Sequence, residues 1–293
     1  MLIPHIRAQL LHSLNGLITI SILATPWVMA DSCFGQDNPP QTEDQNQARQ
    51  ALDEGVQALK NAQYVDAERN FLRAKQLDPR LLNARLYLAT TYASQYIPGA
   101  QSEKNFRLGE AAVAEFRDVL TLQPENLSAI DGIGSLLFQM AGQPYDPAKF
   151  KEAKSQFQKH IQFNPEDPEP YYWIGVIDWT LSFRANGEFR ARTNHDARGE
   201  TLQDSDPLPP DVREQYMREY GPIIDEGIDS LKHAIERKPD YNDAMAYLNL
   251  LYRRKADTVT SENEREELIK MADDLVDTVK EIIQRKFQTP RQP

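Results

Sequence analysis

The chain has 293 residues, 40% of them hydrophobic and 26% charged, ordinary proportions for a protein that can bury a core. Its formal net charge of −11 repels phosphate backbones and anionic lipid surfaces, which argues against nucleic acid as a partner. A single cysteine, Cys33, excludes an intrachain disulfide in any compartment.

Residues 1–30 read as a secretory signal peptide. Arg7 is their only full charge, 17–24 (LITISILA) is an apolar run, and Val28-Met29-Ala30 offers a small-x-small cleavage site. The run is too short for a permanent membrane span, and Pro26 follows closely. Cleavage would remove one arginine and no acid, leaving the mature chain one unit more negative. Ala30-Asp31-Ser32-Cys33 resembles a degenerate bacterial lipobox, in which Cys33 would be lipidated and become the new amino terminus. Residues 31–47, polar and carrying Pro39-Pro40, are expected to form a flexible linker.

From residue 48 the same residue types recur five times. In 48–81, Ala51, Gly55 and Ala58 are small residues on one helical face, and Ala67, Phe71, Ala74 and Leu77 follow at helical spacing before Pro79. Two packed helices are predicted. The second unit, 82–126, repeats Leu88, Ala89 and Tyr92, then Ala112, Phe116, Val119 and Leu122 before Pro124; its extra residues fall around 94–109, with a turn at Pro98-Gly99. In the third, 127–167, Ile133, Gly134 and Leu137 precede Ala153, Phe157, His160 and Phe163; His160 stands where a small buried residue is usual and is expected to pack.

The fourth unit, 168–241, has Ile174, Gly175 and Asp178 in register and closes on Gly227, Leu231 and Ala234 before Pro239. It holds an insertion at about 185–222. Residues 184–210 read as a polar loop, and 211–220 as a short helix capped by Asp211 and stopped at Gly221-Pro222. The fifth unit, 242–286, has Leu248, Asn249 and Tyr252 in register; Asn249 replaces a small residue, so packing there must loosen or the amide must find a partner. A last helix over 261–286 opens on a Ser261/Glu264 capping box and carries Leu268, Met271, Ala272, Leu275, Val279 and Ile282 on one face. Residues 289–293 are expected to be a disordered tail.

The spacing G-x11-A-x3-F-x2-A-x4-P in 48–81, and that span of 34 residues, resemble the tetratricopeptide (TPR) repeat. The resemblance covers about 48–286 and implies an all-α, right-handed α-solenoid of about five helix pairs in one domain, 48–288, with the insertion in the fourth. It also implies a concave groove lined by the first helices. Carried onto this sequence, that face offers Leu52, Val56, Leu59, Leu86, Thr90, Asp131, Ser135, Phe138, Tyr172, Val176, Trp179, Leu250, Arg253 and Arg254. Such a groove suits an extended peptide or an amphipathic helix of a protein partner.

Tyr171, Tyr172, Trp173, Trp179 and Phe183 form the densest aromatic patch; Trp179 and Phe183, one turn apart on a single face, are the better binding candidates. Arg184, Arg190, Arg192 and Arg253-Arg254-Lys255 are candidates for a basic rim, which would call for an acidic edge on the partner. No Gly-rich phosphate loop, cysteine cluster or metal-spaced histidine pair is present, so no cofactor or metal is expected. His195-Asp196 is the one adjacent His/acid pair, in a stretch that reads as solvated loop. The sequence therefore favours a non-catalytic scaffold acting outside the cytoplasm, periplasmic or secreted. The alternatives are an assembly factor tethered to a membrane through Cys33, or an enzyme using the 185–222 insertion as a lid.

Overall fold

The computed structural model describes residues 42–193 and 208–288; the leader, Cys33, His195-Asp196 and the carboxyl-terminal tail lie outside them. The described residues form ten helices and no strand. In order they are α1 (Glu43–Lys60), α2 (Tyr64–Leu77), α3 (Leu82–Ala93), α4 (Glu103–Leu122), α5 (Leu127–Met140), α6 (Pro147–Phe163), α7 (Pro168–Thr193), α8 (Pro210–Arg237), α9 (Asn242–Ala256) and α10 (Glu262–Gln288). Each odd-numbered helix packs on the even-numbered one that follows it, and each pair packs on the next, so the five units stack in chain order.

The small residues of the repeat are where helices touch. A Cβ added to Gly55 would lie 2.5 Å from the Phe71 ring, one on Gly134 2.9 Å from Phe157, and one on Gly175 2.3 Å from Leu231. In each case the contact is with the second helix of the same unit, at the slot the sequence reserves for a large side chain. The next unit closes the other side: Tyr87 stacks on Phe71 at 5.6 Å, Trp173 on Phe157 at 6.0 Å, and a Cβ on Gly132 would meet the Phe116 ring at 2.6 Å. A repeat thus buries its central ring only when its neighbour is present, which is why the units form one array.

Apolar burial is divided. One core gathers units two and three and ends on Ile174, Ile177 and Leu181 of α7. Another begins at Ala185 and Phe189 of the same helix and runs through α8, α9 and α10. α7 is the wall they share.

Three boundaries differ from the sequence expectation. α1 starts at Glu43 rather than 48, because Thr42 and Gln45 form a reciprocal capping box within the stretch read as linker. In the second unit only 94–102 is loop; Gly99 has φ 81 there, and the remaining extra residues wind onto the start of α4. In the fourth unit the described part of the expected polar loop, 184–193 and 208–210, is mostly helix. α7 runs on to Thr193, and α8 is continuous from Pro210 to Arg237, passing through Gly221-Pro222. Asp211 is not its cap, since Pro209 holds that place without a side-chain hydrogen bond. Packing of Ala185, Phe189, Leu208, Tyr216 and Ile224 outweighs the local helix-breaking tendency.

Candidate functional site

The first-helix face carries the candidate residues, in three different circumstances. In the first two units Leu52, Val56 and Leu59 pack half-buried around Ala58 and Phe71, Leu86 leans on the second-unit core, and Thr90 Oγ1 donates to the Leu86 carbonyl at 2.8 Å. In the third unit Ser135 and Phe138 are half-buried, and Phe138 meets Phe150 and Trp173 edge-on at 5.5 and 5.2 Å. Asp131 is engaged within the fold, its Oδ1 lying 2.6 Å from His160 Nδ1. Val176 is core, 2% exposed, and so offers no surface to a partner.

The fourth and fifth units build the most developed part of the face. Trp179 and Phe183 stack at 5.1 Å with 19° between their planes, and Tyr247 from α9 meets Trp179 edge-on at 5.3 Å. Tyr172 fills the space behind, against Trp173, Tyr241 and Tyr247, and burial pushes its phenol well above the usual range. Phe183 remains 49% exposed at the front of this aromatic shelf, with the Arg254 guanidinium 5.5 Å from its ring centre. Leu250 lies half-buried on α9, the helix that carries Tyr247.

The proposed basic rim does not form. Arg253 pairs with Asp273 of α10 at 2.5 Å, Lys255 with Asp225 at 2.7 Å, and Arg192 with Glu188 at 3.9 Å. Arg254 and Arg190 both reach Asp257, at 2.9 and 3.9 Å. Asp257 is largely enclosed, and burial raises its pKa against the pull of the Arg254, Arg190 and Arg265 charges. Arg184 lies 4.5 Å over the Tyr145 ring. The cations are therefore mostly neutralised within the fold, and the shelf is aromatic rather than cationic.

Tyr145 and Tyr247 are contributors that the repeat spacing alone does not single out as site residues. Tyr247 was legible: it holds the slot just before Leu248 that Tyr87 and Trp173 hold before Leu88 and Ile174. Tyr145, in the loop between α5 and α6, had no periodic signal. Asn249, flagged as needing a partner, has two: its amide donates to the Ala272 carbonyl, and Arg253 Nε donates to its Oδ1 at 3.2 Å.

Elsewhere, α4's extra turns overhang the start of α2 and leave an open cleft of about 430 Å³ lined by Glu68, Tyr92, Glu103, Lys104, Arg107, Leu108 and Ala111. Acid and base alternate round it, and Tyr92 closes onto Glu68 at 3.0 Å. Among the described residues no set of three His, Cys, Asp or Glu side chains could hold a metal ion, and no helix is long and apolar enough to cross a membrane.

No family model and no curated protein sequence matches the chain. Solved structures do. The crystal structure of MamA protein superposes with a TM-score of 0.54 over 85% of this chain and 99% of its own, at 15% identity. A fragment of MamA from Desulfovibrio magneticus RS-1, from residue 41 to its end, gives 0.52 over 83% and 98%, at 16% identity. The fold is that of a tetratricopeptide-repeat solenoid. α7 and α8, 26 and 28 residues long, pack on each other as the longest helix pair of the array.

Proposed function

We propose that the chain is a non-catalytic interaction scaffold that takes a protein or peptide segment along its concave face, and that it does so outside the cytoplasm. The observation that carries the binding reading is the Trp179–Phe183 stack: Phe183 is a large apolar side chain left 49% exposed on a first helix, yet held against the Trp179 ring and the Arg254 guanidinium, with Tyr247 bracing Trp179 from behind. A preorganised ring surface of this kind gives a binding hot spot at little ordering cost. The exported location rests on residues 1–30 and is tested by the amino-terminal mass of the protein recovered from its source, which for cleavage at Ala30 begins at Asp31. A diacylated peptide beginning at Cys33 would instead support the tethered reading.

A display library of short peptides selected on the full chain tests the binding reading. Selected peptides should lose at least about tenfold in affinity for Phe183→Ala, whose helicity should be unchanged because the ring is half exposed. Equal affinity for both proteins would move the binding face elsewhere.

A further inference from the structure

Along α7 runs a buried polar line. Asp178, Ser182 and Asn186 are 0%, 0% and 2% exposed at four-residue intervals, so they share one face, and Arg190 Nε extends it by donating to Asn186 Oδ1 at 2.8 Å. The positions equivalent to Asp178 in the other first helices are Ala58, Tyr92, Leu137 and Tyr252. Only here does a carboxyl group stand in that slot.

Its surroundings do not suit a charge. Asp178 Oδ1 accepts from Lys154 Nζ of α6 at 2.7 Å, and that ammonium is shared with Glu226 of α8 at 2.8 Å. Asp178 Oδ2 is enclosed without a hydrogen-bond partner, as is Asn186 Nδ2 further along the line. Oδ2 faces Gly227 of α8, where an added Cβ would come within 2.8 Å of both Asp178 Cβ and Leu251 Cδ1 of α9. Three helices converge at that glycine. An ionised carboxylate with one oxygen unsatisfied in such a place is costly, and the cost is relieved either by a proton or by parting the helices to admit water.

We propose that the α7–α8 seam is a pH-sensitive joint, closed while Asp178 carries a proton and parting around it once the proton is lost. Lys154 from α6 and Glu226 from α8 are the charged groups that act on Asp178, while α9 brings Leu251 to the same glycine. Burial, opposed by the Lys154 charge, lifts the Asp178 pKa to about 7, so the joint works near neutrality. α7 is the wall between the two apolar cores and carries Trp179 and Phe183, so a change in its seating alters both the relation of α8–α10 to the first three units and the shelf.

Amide hydrogen exchange on the full chain from pH 5 to 8, each rate divided by the unstructured rate at the same pH, tests this. If opening exposes Asp178 to water, protection of 174–186 and 221–231 falls about tenfold per pH unit between 5 and 7 and levels off above. Asp178→Asn, which fixes the neutral form, should hold the low-pH protection throughout. Lys154→Met, which deletes the facing cation, should carry the slope to higher pH. A wild-type protein without the slope, an unchanged slope in Asp178→Asn, or an unmoved end-point in Lys154→Met would overturn the proposal.

Discussion

His160 occupies the place that Ala74, Val119 and Ala234 hold in other units, and at 2% exposure it is about as buried as they are. It keeps a polar ring there by facing two carboxylates: Asp131 of α5 at 2.6 Å and Asp167, just before α7, at 3.3 Å. Burial alone would depress its pKa, but the hydrogen bonds and charges of the two aspartates prevail and raise it to about 9. Asp167 shows the converse, held below the usual carboxylate range chiefly by its bond to His160. Because the folded-state pKa is above the unfolded value of 6.5, the resulting stability is fully present below pH 6.5 and is lost as pH rises through 9. Urea denaturation should therefore show a decline on the order of 3 kcal/mol across that window. His160→Ala, with the residue natural to the slot, should lack that decline; the same decline in the variant would assign it to other groups. The sequence marked His160 as an exception to its slot, yet it assigned Asp131 to the groove, because spacing within one helix does not show that a side chain reaches across to another.

The repeat helices were legible where a residue type has one packing role. Gly55, Gly134 and Gly175 recur because a Cβ would strike the partner ring or Leu231, and Pro79, Pro124, Pro165 and Pro239 follow each second helix because the chain must turn. Legibility failed in α7 and α8 for an equally physical reason. Asp178, Ser182 and Asn186 place polar groups on a buried face, which erases the apolar period, while Gly187, Gly221 and Pro222 look like breakers. Tertiary packing of Phe189 against Tyr216 and Tyr220, at 5.5 and 6.3 Å, overrides them. The start of α1 was missed differently, since Thr42-Glu43-Asp44-Gln45 is a capping-box pattern that its polar composition disguised as linker. Gly187 offers a test at this scale. It is exposed within α7, with nothing within 4 Å of the Cβ it lacks, so Gly187→Ala should stabilise the protein by up to about 1 kcal/mol in thermal unfolding. Destabilisation would mean that the position needs a glycine conformation and that the helix ends earlier.

Across the whole molecule, the stacked units leave the first helices α1, α3, α5, α7 and α9 to supply a shared face, while each second helix links one unit to the next. Several charges form such links: Lys75 with Glu115, Arg85 with Asp118, Arg117 with Glu152 and Lys154 with Glu226 all hold helices of the array to one another. The aromatic shelf of units four and five instead presents the half-exposed Phe183 ring, stacked on Trp179, from a first helix. The most direct test of the scaffold account is the hydrogen-exchange footprint of a library-selected peptide bound to the full chain. The account predicts added protection in α7 and α9 around Trp179, Phe183 and Tyr247, extending to the first helix α5, with the outer faces of α8 and α10 unchanged. Protection confined to α8, α10 or the cleft between α2 and α4 would contradict it.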